Sequence, residues 1–259
     1  MEPPISPLLF SLLLFSGMLI LMETGRRAGL KRLSKESEGE RGSLGTIEGA
    51  VFALFGLVMA FSFSGAASRF NEKRMLIAEE VNTIETAYLR LQLVPQPVRF
   101  DLQELFRRYV DSRLETYRQL PNMQSAELEM AKSKKLQEEI WKDAVAATIL
   151  RNSHPDSGKL LLPALNNMID ISTTRTMALQ IHPPRIVYAL LFALALICSL
   201  LAGYRMAIGR RRSWLHILGF TVITVIVAYV ILDVEYPRVG LIRLETSDRL
   251  LVQVRESMK

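Results

Sequence analysis

The sequence predicts an all-α membrane protein with four transmembrane helices in two hairpins and a helical extramembrane domain inserted between the second and third. Three observations predict it. Apolar residues gather in four blocks, Ile5–Met22, Leu44–Ala67, Pro184–Tyr204 and Ser213–Leu232, each near the ~20 residues a helix needs to cross the hydrocarbon core. Nearly all charge lies between these blocks. The long stretch 68–183 carries 16 Lys/Arg and 15 Asp/Glu, a balance that suits a folded, solvated domain better than a tail. The bulk figures agree, with 49% hydrophobic residues and a positive mean hydropathy, but the distribution decides.

The first block contains no charge, and the residues before it, Met1-Glu2-Pro3-Pro4, include no Lys or Arg. Arg26, Arg27, Lys31 and Arg32 follow it. A secretory signal has the reverse order and a small-residue cleavage site, so this block is expected to stay as a helix whose N-terminus faces outward. The second block has one charge, Glu48. Past it no breaker interrupts the chain, and Phe70, Ile77, Val81, Ile84, Tyr88 and Leu91 recur at spacings of three, four and seven as an apolar stripe. One helix from about Leu44 to Val94 is therefore expected, roughly 75 Å long. Its stripe needs a partner, and the domain's other helices are a plainer one than a neighbouring subunit.

Prolines divide the domain. Pro95 and Pro97 end its first helix, Pro121 the second, Pro155 the third, and Pro183-Pro184 stop the fourth before the membrane. The helix over Val98–Leu120 presents Leu102, Leu105, Phe106, Tyr109, Val110, Leu114 and Tyr117 as a buried face. The next, Ser125–Asn152, is dense in charge (Lys134, Lys135, Glu138, Glu139) and is read as a solvated outer helix. The boundaries that result are 1–67 for the first hairpin, 68–183 for the domain, 184–232 for the second hairpin and 233–259 for an amphipathic C-terminal tail.

Six Lys/Arg lie in the connection Glu23–Arg41, and Arg205 with Arg210–Arg212 adds four in the other short connection. Basic density near span ends marks the cytoplasmic side. The loops 23–43 and 205–212 are thus expected to be cytoplasmic, with the domain and both termini outside. The net charge of +6 is accounted for by these juxtamembrane patches, which implies lipid rather than nucleic acid as the partner.

No catalytic constellation emerges. The one cysteine, Cys198, sits in the third span, so no intramolecular disulfide forms. His154, His182 and His216 are far apart, and no metal-ligand spacing, phosphate loop or nucleophile elbow occurs. An enzyme, a cofactor and a metal are not expected. On the second span, Gly45, Gly49, Phe52, Gly56, Met59, Phe63 and Ala66 share one helical face. Close helix packing at the glycines is one reading of it, and a pore lining with apolar phenylalanine rings is the other; spacing alone favours packing. Glu48 stands at the mouth of this face, either as an ion-attracting ring or as an interfacial residue. After the fourth span, Asp233-Val-Glu235-Tyr-Pro237-Arg238-Val-Gly240 sets two carboxylates beside a proline turn. A turn paired with Arg238 or Arg243 is the plainer reading there than a cation site, which needs more oxygens.

Four stretches carry a family resemblance: Leu44-Gly-Thr-Ile-Glu-Gly-Ala50 leading to Phe61-Ser-Phe-Ser64 and Ala67-Ser-Arg69; Glu80-Val-Asn82-Thr-Ile84-Glu-Thr86-Ala-Tyr88-Leu-Arg90; Arg108-Tyr-Val-Asp111-Ser-Arg113; and Asp233-Val-Glu235-Tyr-Pro237-Arg238-Val-Gly240. In this order they resemble the bacterial membrane protein family of unknown function labelled bestrophin-like. Departures fall at Glu85, where a small residue is expected, and at Glu235, where Asp is expected. The resemblance implies a multi-pass protein of the bacterial inner membrane. It singles out Arg69, Glu80, Asn82, Tyr88, Arg90, Asp111, Arg113, Asp233, Glu235, Pro237, Arg238 and Gly240. Bestrophins proper are pentameric anion channels whose second transmembrane helix lines the pore, so it also implies a homo-oligomer, an anion as permeant species, and Gly49, Phe52, Gly56, Met59 and Phe63 as pore-lining residues. It implies a cytoplasmic domain as well, against the charge density. A non-conducting scaffold or sensor, whose helical domain binds a protein partner, is the alternative.

Overall fold

The computed structural model describes residues 6–32, 38–120, 122–207, 213–237, 241–242 and 245–258. Among them the chain forms helices α1 (Pro7–Arg32), α2 (Glu38–Arg90), α3 (Val98–Gln119), α4 (Met123–Thr148), α5 (Ser157–Ala178), α6 (Arg185–Met206), α7 (Trp214–Glu235) and α8 (Glu245–Ser257), with a 3-10 turn at Leu91–Leu93 after α2. No strand occurs among the described residues. The protein is all-α, and α1, α2, α6 and α7 are long and apolar enough to cross a membrane. As the unbroken pattern predicts, α2 runs on past its apolar part to Arg90.

Two compact units result. One comprises Phe70–Ile181 with Ile242–Lys259, the other Glu2–Arg69 with His182–Leu241.

The core of the first unit is built from the stripe on α2 and the buried face of α3. Val81, Ile84 and Leu91 meet Leu102, Phe106, Tyr109, Val110, Leu114 and Tyr117 there. The α3 face follows from its spacing of three and four along a helix. α4 differs from the expected solvated helix. Its Leu136, Ile140, Ala144 and Ala147 are buried in the same core, while Lys134, Lys135, Glu138 and Glu139 are exposed. A period of four among small and branched residues was hidden by the surrounding charge. α8 closes the unit through Leu251, Val254 and Met258, with Arg255 pairing to Asp111 at 2.8 Å and Arg107 donating to the Met258 carbonyl.

In the second unit α1 lies against α6 and α7. Glycine sets the approach. A Cβ on Gly203 would fall 1.9 Å from the Met22 carbonyl oxygen, and one on Gly25 would fall 2.0 Å from that of Leu200. Small residues let two backbones touch, which is how helices gain contact in lipid. Leu14, Met18, Leu191, Ala195 and Cys198 fill the rest of the seam.

Candidate functional site

Two buried ion-pair clusters and one uncovered helix face bear on function.

The first cluster lies in the unit Glu2–Arg69 with His182–Leu241. Arg69 stands where the apolar run of α2 ends in Ala67-Ser68, and Glu235 is the last residue of α7. The Arg69 Nε donates to both oxygens of Glu235, at 3.1 and 2.9 Å, and Nη2 donates to Oε2 at 2.7 Å. The Glu235 side chain is fully enclosed, whereas 26% of Arg69 remains accessible. His182 adds its Nδ1 to Oε1 of Glu235 at 3.0 Å, and its ring stacks on Tyr236 with centroids 4.5 Å apart. An enclosed carboxylate needs several donors to offset its lost hydration. Asp233 is also buried and accepts from the Leu241 N–H at 2.8 Å. Pro237 is buried in the same turn. Glu235 thus meets a cation from far away in sequence, Arg69; Arg238, Gly240 and Arg243 lie outside the described residues.

The second cluster lies in the unit Phe70–Ile181 with Ile242–Lys259. Glu80 sits on the buried side of α2 between Ile77 and Ile84 and is completely enclosed. Arg113 Nε donates to its Oε1 at 2.6 Å. Arg175 of α5 reaches Oε2. Tyr117 donates to the same carboxylate, accepts from Arg113, and lies beneath the Arg175 guanidinium at 3.5 Å. Burial works against the Arg113 charge, but the Glu80 carboxylate and the Tyr117 and Tyr109 rings outweigh it, so the guanidinium is held above its ordinary value. Burial likewise pushes the Tyr117 phenol up, with Glu80 adding to it against the pull of Arg113. Two cations share one carboxylate in a dry interior, which makes this cluster an organiser of α2, α3 and α5.

Other family-motif residues have local tasks. Tyr88 meets Phe106 edge-on at 5.8 Å, Arg90 donates to the Leu160 carbonyl, and Asn82 is exposed. Arg175, Tyr117 and His182 are cluster members that no motif singled out. Their signal was present: Arg175 falls between the apolar positions Ile171 and Ala178, where an unpaired charge is not tolerated.

The third feature is the apolar part of α2. Only 11% of its apolar window is buried, against 28, 33 and 44% for α1, α6 and α7. A Cβ on Gly49 or Gly56 would meet nothing within 4 Å, so these glycines do not serve close packing inside the chain. That task falls to Gly25, Gly29 and Gly203. Gly49, Ala53, Gly56, Ala60 and Ser64 are all exposed and form one stripe of small residues. Phe63, 44% exposed, borders it. Phe52 and Met59 are half-buried, and Phe52 packs edge-on against Phe220 at 5.8 Å. Glu48 lies 3.8 Å from Arg205, whose guanidinium stands 3.0 Å from where a Gly45 Cβ would be.

Among the described residues no group of three His, Cys, Asp or Glu side chains could hold a metal ion. No curated protein and no solved structure matches this chain. A family model does, over most of the length: residues 26–248 match the Bestrophin-like domain, a span that includes both ion-pair clusters and the exposed face of α2. The chain belongs to the Bestrophin-like family.

Proposed function

We propose that this protein is the subunit of an oligomeric anion channel in the bacterial inner membrane, with α2 of each copy facing the conduction path. The observation that carries the reading is the uncovered small-residue stripe on α2. A span with so little of its apolar window buried is covered either by lipid or by copies of itself. Glycines with open space beside them keep the room between copies clear of side chains. Gly49, Gly56 and Phe63 face the path in this reading, with Ala53, Ala60 and Ser64 beside them. Phe52 and Met59 flank it, and the Phe220 contact holds Phe52 at the edge. Phe63 supplies the apolar constriction, and Glu48, drawn to Arg205, lies at the mouth. Membership of the family supports an anion as permeant species by analogy of fold. Basic density supports loops 23–43 and 205–212 on the cytoplasmic side.

A second reading has its own observation. Trp141 and Val145 of α4 and Ile149, just past its end, are exposed four residues apart, a face on which a protein partner of a non-conducting scaffold would dock.

Chloride flux from liposomes separates the two. Protein-dependent flux that changes in Phe63→Ala, with assembly unchanged, supports the channel. Absence of flux from folded, oriented protein supports the scaffold.

A further inference from the structure

A groove in the unit Glu2–Arg69 with His182–Leu241 is lined by Phe61, Val187 and Ile231 together with Gly65, Arg69 and Tyr188. Its apolar walls come from α2, α6 and α7, three of the helices fit to cross a membrane. One nitrogen of Arg69 stands outside its ion pair. Arg69 binds Glu235 through Nε and Nη2. Nη1 takes no part in that pairing and lies 3.2 Å from the position a Gly65 Cβ would occupy. The Tyr188 hydroxyl is shielded from solvent and interacts with the Tyr236 side chain. Arg185 is not itself part of the lining; exposed at the start of α6, two residues before Val187, it makes no ion pair with a described residue and acts electrostatically on Tyr236, the ring stacked on His182.

Charge is sorted by depth at this end of the helices. Glu235 and Asp233 are turned inward and enclosed, whereas Arg69 and Arg185 remain accessible. The surface offered is cationic beside an apolar trough. A soluble anion would gain nothing from Phe61, Val187 and Ile231, and a zwitterionic lipid would set its own cation against the two arginines. We propose that this groove is a binding site for an anionic phospholipid, one acyl chain lying along the apolar wall and the phosphate accepting from Arg69 Nη1 and Arg185.

The test is native mass spectrometry of the full chain in mild detergent. Phosphatidylglycerol and phosphatidylcholine with identical acyl chains are added, and glycerol 3-phosphate serves as a headgroup without chains. The expected result is about tenfold preference for phosphatidylglycerol. Arg185→Gln should reduce that preference several-fold, Val187→Trp should lower retention of both lipids, and glycerol 3-phosphate should not compete. Equal retention of the two lipids overturns the proposal. So does a preference unchanged in Arg185→Gln, or displacement by glycerol 3-phosphate. Arg185 is exposed and unpacked, so its variant decides the matter even where Val187→Trp fails to fold.

Discussion

Arg69 and Glu235 stand 166 residues apart and are joined by three hydrogen bonds of 2.7 to 3.1 Å. The pair ties the end of the apolar part of α2 to the end of α7, and the Glu235 side chain is fully enclosed. Removing one partner strands the other, whereas replacing both with apolar residues does not. Arg69→Leu and Glu235→Leu alone should each cost about 3–5 kcal/mol, and the double variant less than either. Thermal unfolding in detergent across the four proteins measures the coupling. Additive losses would mean that the pair is not a unit.

Glu80 carries a heavier duty, since Arg113 and Arg175 both depend on it. Glu80→Ala leaves two guanidiniums enclosed and should abolish recovery of folded protein. Arg113→Lys should not rescue the pairing, because an ammonium lacks the planar fork that meets both the carboxylate and Tyr117. The yield of monodisperse protein on size exclusion reports both outcomes.

The glycines divide into two classes with opposite expectations. Gly203→Ala drives a methyl into the Met22 carbonyl and Gly25→Ala into that of Leu200, so both should lose more than the ~1–3 kcal/mol of ordinary overpacking. Gly49→Ala and Gly56→Ala meet open space and should leave each chain as stable or up to about 1 kcal/mol more so, from helix propensity. Thermal unfolding of the four variants checks the contrast. A change of flux in Gly56→Ala then reports on the path rather than on the fold.

Burial raises the Tyr117 phenol above its ordinary value, so the folded state holds the phenolic proton more firmly than the unfolded chain does. Its contribution to stability is complete below about pH 10 and is lost as pH rises past that toward the raised value. The near-ultraviolet difference between wild type and Tyr117→Phe should show no phenolate step near pH 10 while the helix signal persists. A step there with intact helix would contradict the enclosure of this ring.

Much of the fold was legible because the cues are local. Apolar runs of membrane length marked α1, α2, α6 and α7, and the unbroken stripe from Phe70 to Leu91 announced that α2 continues. Spacing also located the buried face of α3. Local pattern could not say which distant residue answers which. Motif resemblance picked out Arg69, Glu80, Arg113 and Glu235 without pairing them, because partners 33 or 166 residues apart share no periodicity. A sharper rule was available: Glu80, Arg113 and Arg175 each interrupt an apolar stripe, and a charge on a buried face implies a buried counter-charge. The glycines show the same limit. Those of α2 have the spacing of a packing face, yet the intimate contact forms at Gly25, Gly29 and Gly203, since spacing describes a helix and not its neighbour. A pairing of Asp233 or Glu235 with Arg238 or Arg243 falls outside the described residues, but the contact of Glu235 with Arg69 of α2 is one that no local pattern announces.

The most direct test of the channel reading uses Gly56→Cys in a Cys198→Ser background, recorded in planar bilayers before and after a charged, membrane-impermeant thiol reagent. Open space beside Gly56 lets the cysteine be tolerated, and Ile223→Cys, on an exposed site of α7, is the control. The account predicts an anion current that the reagent alters in Gly56→Cys and leaves unchanged in Ile223→Cys. A current indifferent to modification at Gly56, or equally sensitive at Ile223, would contradict a conduction path lined by α2.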